Sequence, residues 1–300
     1  MNTPSPVIHT DGLNFHFGSQ WVVKELDLQV PEQAIYGFLG PNGAGKSTTI
    51  KLLLGLLQTR GEHIYLFGKE LNAHRLDILA EVGCLIETPS LYRHLTGMEN
   101  LRYLDRLFHK GSGRVEEVLR TVGLWDARHK RVKHYSLGMK QRLGIGMAIF
   151  HDPKLLFLDE PFNGLDPSGV LEMRGLLESL RDAGKTIFVS SHILAEIERI
   201  CSHVGIITKG KMIYQGEMSG LLSHSSKRVS VLTGDKAAAL EACAEMQPEQ
   251  TEGPALSLKV GNQEEFNRLI YQLTAHNIPI YNIETSSPSL EEVFINLTQS

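Results

Sequence analysis

The stretch GPNGAGKS, from Gly40 to Ser47, constrains this chain more than any other part of its sequence. It follows a short apolar run, AIYGFL, and precedes a segment with helical spacing, STTIKLLLGLL. Glycines let the backbone curl tightly, so that several N–H groups point inward at phosphate oxygens. The start of the following helix adds its positive dipole end. The stretch therefore predicts a phosphate-binding loop between a strand and a helix.

This loop predicts nucleotide binding, but by itself it does not separate a kinase from a GTPase or an ATPase. Lys46 is expected to reach the β- and γ-phosphates, and Ser47 is expected to bind Mg²⁺ through its hydroxyl. The residues predicted to cradle the nucleotide are Gly40, Pro41, Asn42, Gly43, Ala44, Gly45, Lys46, Ser47 and Thr48.

Two acidic residues end a later apolar run, LLFLDEP. A strand buried on both faces has no use for adjacent carboxylates unless they emerge at its carboxyl end, where ligands of α/β sheets bind. Asp159 suits a Mg²⁺ shell, and Glu160 is then placed to polarise an attacking water. The next strand, TIFVSS, puts His192 at the same edge of the sheet. Its predicted role is either to contact the γ-phosphate or to hold the water through Glu160.

The order of apolar runs predicts the fold class. Residues 6–40 alternate β-type runs with turn signals, which indicates a small N-terminal antiparallel layer. Segments between 88 and 150 have helical spacing, and strands then alternate with amphipathic helices, which is typical of βαβ units and a parallel sheet. We therefore expect an α/β P-loop (RecA-like) core with an inserted helical subdomain at about 88–150.

A second domain is expected after the Ser- and His-rich stretch at 223–227. Residues beyond it follow a β-α-β-α-β-α pattern, with strands near VSVLT, LSLKV and IPIYNIET. The predicted boundaries are 1–225 for the nucleotide-binding domain and 226–300 for a small C-terminal α+β domain.

Composition excludes some kinds of function. A formal net charge of −4 gives no reason to expect nucleic-acid binding through bulk electrostatics. Three cysteines without CxxC spacing favour reduced thiols in a cytosol. No apolar run approaches the length needed to span a bilayer, and the N-terminus lacks the pattern of a secretory leader. A role at a membrane would therefore require a partner that spans it.

A family resemblance rests on five motifs in order: GPNGAGKST, HYSLGMKQR, LLFLDEP, NGLDP and SSH. With these motifs the chain resembles the ATP-binding subunits of ABC transporters from residue 6 to about 220. Ser136 and Gly138 match the signature L-S-G-G-Q, whereas Leu137 replaces its first Gly and Met139 replaces its Gln. The resemblance implies ATP and Mg²⁺ as cofactors and ATP hydrolysis coupled to transport as the activity.

The resemblance also implies partners. Two copies would form a head-to-tail dimer with two ATP molecules between them, in which Ser136 and Gly138 face the γ-phosphate held by the other copy. Asp166, in the stretch Gly164–Asp166, would lie in the loop that links the two sites. Phe17 occupies the place of the aromatic residue that stacks on adenine, although Phe15, Trp21 or a purely structural aromatic are alternatives. The transmembrane permease would be encoded separately.

Glu87 lies where this family usually has a Gln that contacts Mg²⁺ and the attacking water. A carboxylate there can still bind Mg²⁺, because hard cations prefer oxygen ligands, but it has no amide N–H to donate. Glu in the context CLIETPSLY is similar to the ATPases of bacterial exporters that confer lantibiotic immunity and bacitracin resistance. The resemblance thus implies an ATPase on the inner face of the cell membrane that powers export of a drug or antimicrobial peptide.

Two other classes of function compete with this interpretation. An ABC-type ATPase that acts on the ribosome or on DNA usually carries two such domains or a long coiled coil, and this sequence shows one domain and no heptad tract. A non-enzymatic role with ATP as a structural ligand conflicts with Glu160 and His192, because both catalytic positions are filled.

Overall fold

The computed structural model describes residues 6–58, 63–223, 227–249, 254–286 and 288–299. The chain divides into two compact units, Met1–Glu217 and Met218–Ser300. This division falls before the predicted boundary at 223–227, of which residues 224–226 lie outside the described residues.

Unit one contains the following strands and helices in chain order. The strands are β1 Ile8–Asp11, β2 Leu13–Phe17, β3 Gln20–Leu26, β4 Gln29–Val30, β5 Ile35–Leu39, β6 His63–Leu66, β7 Lys69–Glu70, β8 Val82–Leu85, β9 Leu155–Asp159, β10 Thr186–Ser191, β11 His203–Thr208 and β12 Lys211–Glu217. The helices are α1 Lys46–Leu53, α2 Arg75–Ala80, α3 Gly97–Phe108, α4 Ser112–Thr121, α5 Leu137–Ala148, α6 Pro167–Asp182 and α7 Leu194–Ile200.

The central sheet has the order β12-β11-β5-β10-β9-β8, and all its neighbours are parallel except the edge pair β11 and β12. Every residue of β5, β9 and β10 is buried. A strand that is covered on both faces needs apolar side chains at every position. These segments therefore show no alternation of apolar and polar residues in the sequence. The predicted parallel α/β core is confirmed.

The N-terminal antiparallel layer is also present, with a different strand content from the expectation. The sheet β4-β1-β6-β7 and the hairpin β2-β3 form it, so VIHTDGLNFHF supplies strands to two separate sheets. The run AIYGFLG does not belong to this layer, because β5 lies between β11 and β10 in the parallel sheet. Its complete burial explains the difference, since a strand of the half-exposed layer would alternate.

An aromatic cluster packs on one face of the parallel sheet. Phe188 on β10 is the register partner of Tyr36 on β5 and of Phe157 on β9, so the three side chains lie on the same face. Its ring stacks on Tyr36 at 5.5 Å and lies 5.3 Å from Phe157, measured between ring centroids. This packing holds the three strands whose carboxyl ends carry the candidate site.

Between β8 and β9 the chain forms the predicted helical subdomain. Thr96 begins α3 with a capping box, in which its hydroxyl accepts from the Glu99 N–H while the Glu99 carboxylate accepts from the Thr96 N–H. Ser136 is the N-cap of α5, where its hydroxyl accepts from the Met139 N–H at 3.2 Å.

Unit two has its own core. Its elements are α8 Met218–Ser223, β13 Lys227–Thr233, α9 Lys236–Ala242, β14 Ala255–Val260, α10 Gln263–Ala275, β15 Ile280–Ser286 and α11 Leu290–Gln299. The strands form an antiparallel sheet in the order β14-β13-β15. Val229, Val231 and Leu258 pack against Leu269 and Leu273 of α10. The β-α-β-α-β-α pattern is the one that the sequence predicts.

Replacing Phe188 by Ala should lower the free energy of unfolding of unit one by about 3–5 kcal/mol, because the fully buried ring leaves a cavity among three strands. Urea denaturation of the full chain, followed by circular dichroism, measures the change. Leu76→Ala removes a side chain that is 84% exposed and should change stability by less than about 0.5 kcal/mol. Equal losses in both variants would contradict the proposed importance of the cluster.

Candidate functional site

The predicted phosphate loop connects β5 to α1, and backbone conformation or close packing favours glycine at three of its positions. Gly45 has φ 109°, and a Cβ there would lie 2.8 Å from the Val22 carbonyl oxygen. A Cβ on Gly40 would collide with the Ile207 carbonyl oxygen. Gly43 is also left-handed, with φ 79°. The loop is thus a backbone cradle that side chains would fill or distort, as phosphate binding through N–H groups requires.

Lys46, the first residue of α1, is buried beneath this loop. Its ammonium donates to the Gly40 carbonyl oxygen at 2.7 Å and lies 3.4 Å from that of Pro41. Burial lowers the pKa of the Lys46 ammonium, while the charges of Glu160 and Asp159 oppose this shift. A cation with incomplete solvation, held by carbonyl groups, is well placed to exchange them for phosphate oxygens.

An open cleft of about 740 Å³ lies over the loop. It is lined by Phe17, Gln20, Val22, Asn42, Gly43, Gly45, Lys46, Ser47, Thr48, Glu160, Asn163 and His192. The structure therefore brings the predicted phosphate loop, Glu160, His192 and Phe17 into one cavity. Gln20, Val22 and Asn163 were not singled out from the sequence. For Asn163 a signal existed, because the NGLDP motif begins three residues after Glu160, whereas Gln20 and Val22 depend on how the β2-β3 hairpin folds.

Glu160 and His192 meet at the carboxyl edge of the parallel sheet. Glu160 has a left-handed backbone, with φ 53°, and its N–H donates to the Ser190 carbonyl oxygen at 3.0 Å. The His192 ring Nδ1 lies 2.7 Å from Glu160 Oε2, and the His192 backbone N–H donates to the same oxygen at 3.3 Å. Both contacts use one carboxylate oxygen, which leaves Oε1 for a water in the cleft.

Asp159 is buried at the end of β9, where its Oδ1 accepts a hydrogen bond from the Ser190 hydroxyl. Ser190 is the register partner of Asp159 on β10, so the pairing of strands places this hydrogen bond. Ser47 lines the cleft at the first turn of α1. The donor set fits Mg²⁺, because a hydroxyl and a carboxylate are hard oxygen ligands.

Phe17, the aromatic residue predicted to stack on adenine, lines the cleft. Phe17 is 55% exposed and packs edge-on against Phe15 at 4.8 Å between ring centroids. Phe15 packs against the core of unit one, and Trp21 lies 4.9 Å from the His16 ring. Of the three aromatic candidates, Phe17 alone is among the residues that line this cavity.

Ser136, Gly138 and Asp166 do not line the cleft and form a separate surface. Gly138 approaches Leu165 and Gly169 closely, since a Cβ on it would lie 3.6 Å from the Leu165 side chain. Asp166 caps α6 by accepting from the Gly169 N–H at 2.9 Å. The signature segment and the Gly164–Asp166 loop are therefore neighbours on unit one.

Glu87 also lies outside the residues that line the cleft. It has φ 61°, and its carboxylate pairs with Lys51 Nζ at 3.1 Å. Lys51 and Ser47 are four residues apart on α1 and so project from the same face of that helix. The ion pair thus holds the Glu87 carboxylate along the helix face that carries Ser47.

The parallel sheet, the glycine cradle and the carboxylate at the sheet edge define a P-loop nucleotide-binding protein. The family model for ABC transporters matches residues 23–163. The bacitracin transport ATP-binding protein BcrA of Bacillus licheniformis is 39% identical over 98% of this chain and 97% of its own length. The lantibiotic transport ATP-binding protein SrtF of Streptococcus pyogenes is 38% identical over 71% of this chain and 92% of its own length.

A solved structure titled as the ATP-binding subunit of an ABC transporter is 30% identical, with a TM-score of 0.64, and covers 72% of this chain and 91% of that chain. The chain belongs to the ATP-binding subunits of ABC transporters, a family that binds and hydrolyses ATP. The resemblance predicted from the five motifs is confirmed, and so is the predicted ATPase class. Across the described ranges, every helix is too short or too polar to cross a membrane.

Replacing Lys46 by Ala should weaken ATP binding by roughly 10- to 100-fold, because a charge-assisted contact with the β- and γ-phosphates is lost. Titration with a fluorescent ATP analogue measures the affinity. Lys69→Ala removes an exposed cation on β7, outside the cleft, and should bind ATP like the unmodified chain. An unchanged affinity of Lys46→Ala would contradict the assignment of the phosphate loop.

Proposed function

We propose that this subunit powers the export or removal of a drug or antimicrobial peptide through a separately encoded membrane permease. The observation that carries the proposal is that Glu160 and His192 are in contact at the rim of the cleft while the Glu87 carboxylate is paired with Lys51 on α1. The printed names of BcrA and SrtF, which refer to bacitracin and lantibiotic transport, support this substrate class. The subunit then works at the inner face of the cell membrane and does not act on nucleic acid.

Hydrolysis of ATP follows from groups on this chain. The phosphate loop and Lys46 bind the β- and γ-phosphates, and Phe17 offers an exposed ring to adenine. Glu160 Oε1 accepts a proton from the attacking water as general base. His192 holds Oε2 through its ring and its backbone N–H, which keeps Oε1 directed at the water. We assign His192 this orienting role, because its ring Nδ1 and its backbone N–H both lie within hydrogen-bonding distance of Glu160 Oε2.

Mg²⁺ would be held by the Ser47 hydroxyl and the Asp159 carboxylate, with Glu87 as a further ligand or water holder. When bound, this ion would neutralise charge on the β- and γ-phosphate oxygens. The Ser190 hydroxyl orients Asp159 by donating to Oδ1 and leaves Oδ2 for the metal shell.

The separate surface of Ser136, Gly138 and Asp166 supports a head-to-tail dimer. Ser136 is exposed at the start of α5, where free N–H groups and the helix dipole favour an anion. The cleft of the same chain is lined by other residues, so this anion site would serve the γ-phosphate bound by a second copy. Closure of the dimer on ATP and its opening after hydrolysis would then alternate the transporter between two states.

A groove next to the Glu87 segment is suited to the permease. It has a volume of about 410 Å³ and is lined largely by apolar residues, among them Leu85, Leu104, Leu107 and Met147. Thr88 and Pro89, which follow Glu87 directly, form part of its wall. A membrane partner seated here would contact the segment that carries Glu87, and nucleotide state would thereby be relayed to the partner.

Replacing Glu160 by Gln should retain ATP binding and lower hydrolysis by a factor of at least about 100, because an amide does not accept the proton of the water. The trapped ATP should hold a dimer that size-exclusion chromatography detects. Glu32→Gln alters an exposed carboxylate and should leave turnover unchanged. Turnover near the original rate in Glu160→Gln would show that another group is the base.

Adding Ser136→Arg to the Glu160→Gln chain tests the dimer geometry. The long side chain would occupy the place of the partner's γ-phosphate, so the dimer should be lost while each monomer still binds ATP. A dimer of undiminished yield would contradict the head-to-tail arrangement.

Replacing Glu87 by Ala should lower hydrolysis severalfold with near-normal nucleotide binding, because a metal-facing oxygen is removed and the phosphate loop is intact. Glu87→Gln keeps a carbonyl oxygen and should retain much of the ATPase activity, while transport falls because the partner's surface fits a carboxylate. ATPase rate and peptide resistance are measured in cells that carry the intact transporter.

Lys51→Ala is the matched control, because it removes the ion pair and keeps the Glu87 carboxylate. An exposed pair contributes little, so this variant should retain its activity. If Lys51→Ala reproduces the defect of Glu87→Ala, the ion pair explains the effect. If neither variant changes either activity, Glu87 is an ordinary loop residue.

A further inference from the structure

A strongly basic segment precedes the signature helix α5. Residues 128–134, RHKRVKH, contain Arg128, Lys130, Arg131 and Lys133 without an intervening carboxylate. The whole chain has a formal net charge of −4, so this positive charge is local. Positive charges this close together repel one another, so an anion bound at this segment would be stabilised.

Backbone hydrogen bonds place this segment beside the loop that leads from the apolar groove to α3. The Lys133 N–H donates to the Arg93 carbonyl oxygen at 2.9 Å, and the Val132 N–H donates to that of Leu95 at 2.9 Å. Arg131 and Thr96 pair through their backbones as an isolated antiparallel β-bridge. Two segments that are far apart in sequence thus contribute cations to one surface.

Arg102 on α3 belongs to the same surface, because Arg102 and Arg131 both lie near the Glu99 carboxylate. Hydrogen bonds from the backbone and hydroxyl of Thr96 lower the pKa of the Glu99 carboxyl, and the charges of Arg131 and Arg102 lower it further. Both guanidinium groups therefore act on one carboxylate. We call this the basic surface, and it consists of Arg93, Arg102, Lys130, Arg131 and Lys133.

The basic surface is exposed, and within the ranges that the structure describes none of its five cations forms an ion pair. Arg128 behaves differently, because its guanidinium stacks on Trp125 at 4.1 Å and donates to the Trp125 carbonyl oxygen at 2.8 Å. Arg128 thus has a structural role, whereas the five cations of the basic surface are exposed to an external anion, although Arg102 and Arg131 also act on the Glu99 carboxylate.

Exposed aromatic and apolar side chains border the basic surface. Tyr92 is 43% exposed and Tyr103 is 52% exposed, and their ring centroids lie 5.2 Å apart. Leu107, one turn along α3 from Tyr103, is 70% exposed and also lines the apolar groove. Tyrosine rings favour the headgroup level of a bilayer, where one end of the ring is apolar and the other is wet.

We infer that the basic surface binds the anionic headgroups of the membrane that holds the permease. This inference rests on the proposed function, because the adjoining groove is the surface assigned to the permease. Lys and Arg near an anionic bilayer each strengthen attraction to it within about a Debye length. The cations come from the loop before α3, from α3 itself and from residues 130–133, and tyrosines border them. Such a spread of charge suits a diffuse anionic plane with an apolar layer beneath it. An acidic peptide or a polynucleotide would not use that apolar border.

Flotation of the purified full chain with vesicles tests the inference. Vesicles of phosphatidylcholine with about one third phosphatidylglycerol should bind the protein, and pure phosphatidylcholine vesicles should not. Binding should decline as salt rises, because the contacts are electrostatic. The variant Lys130→Glu/Arg131→Glu/Lys133→Glu should bind at least about tenfold more weakly. Its ATP affinity, measured without vesicles, should be unchanged and shows that unit one is folded.

A charge-matched control carries Lys69→Glu, Lys211→Glu and Arg268→Glu, three exposed positions outside the basic surface. It should bind the anionic vesicles nearly as well as the unmodified chain. Equal loss in both triple variants would overturn the inference in favour of net charge alone. Binding to polyglutamate or to an oligonucleotide, with no preference for anionic over neutral vesicles, would also overturn it. Failure of the proposed function is a separate result, namely no association with any permease while vesicle binding persists.

Discussion

The pairing of β10 with β5 and β9 is the constraint on which the site depends. Phe188 packs against Tyr36 and Phe157 at matched register positions, and strands that are buried on both faces tolerate no slip. The same register places Ser190 beside Asp159, and it brings the phosphate loop, Glu160 and His192 to one sheet edge. An apolar packing preference in the sheet interior therefore sets the geometry of polar groups at its rim.

The residues of the family motifs separate into two surfaces of unit one. The phosphate loop, Glu160 and His192 share the cleft, whereas Ser136, Gly138 and Asp166 lie together elsewhere. A single copy thus binds the nucleotide with one surface and offers a capped helix start with the other. This separation is what the proposed head-to-tail dimer requires, because in such a dimer each nucleotide would lie between the cleft of one copy and the helix start of the other.

Features proposed to face the permease and the membrane are contiguous along the chain. Glu87 contacts the helix that carries Ser47, the next residues line the apolar groove, and the loop beyond them supports the basic surface. These features follow one another along the chain, so a change near Ser47 would reach the proposed permease surface through a short stretch of backbone. The Glu87 carboxylate also connects this stretch of backbone to α1 through its ion pair with Lys51.

Local sequence determined much of this protein. Glycine spacing defined the phosphate loop, apolar runs defined the buried strands, and five motifs identified the family, because each depends on residues that are close along the chain. Only tertiary structure decided which of the three candidate aromatics lines the cleft, that Gln20 and Val22 join it, that Lys51 pairs with Glu87, and that AIYGFLG belongs to the parallel sheet. The five cations of the basic surface also come together only in the fold. In each case the deciding contact joins segments that are distant in sequence, and strand order and register, rather than local propensity, determine which segments meet.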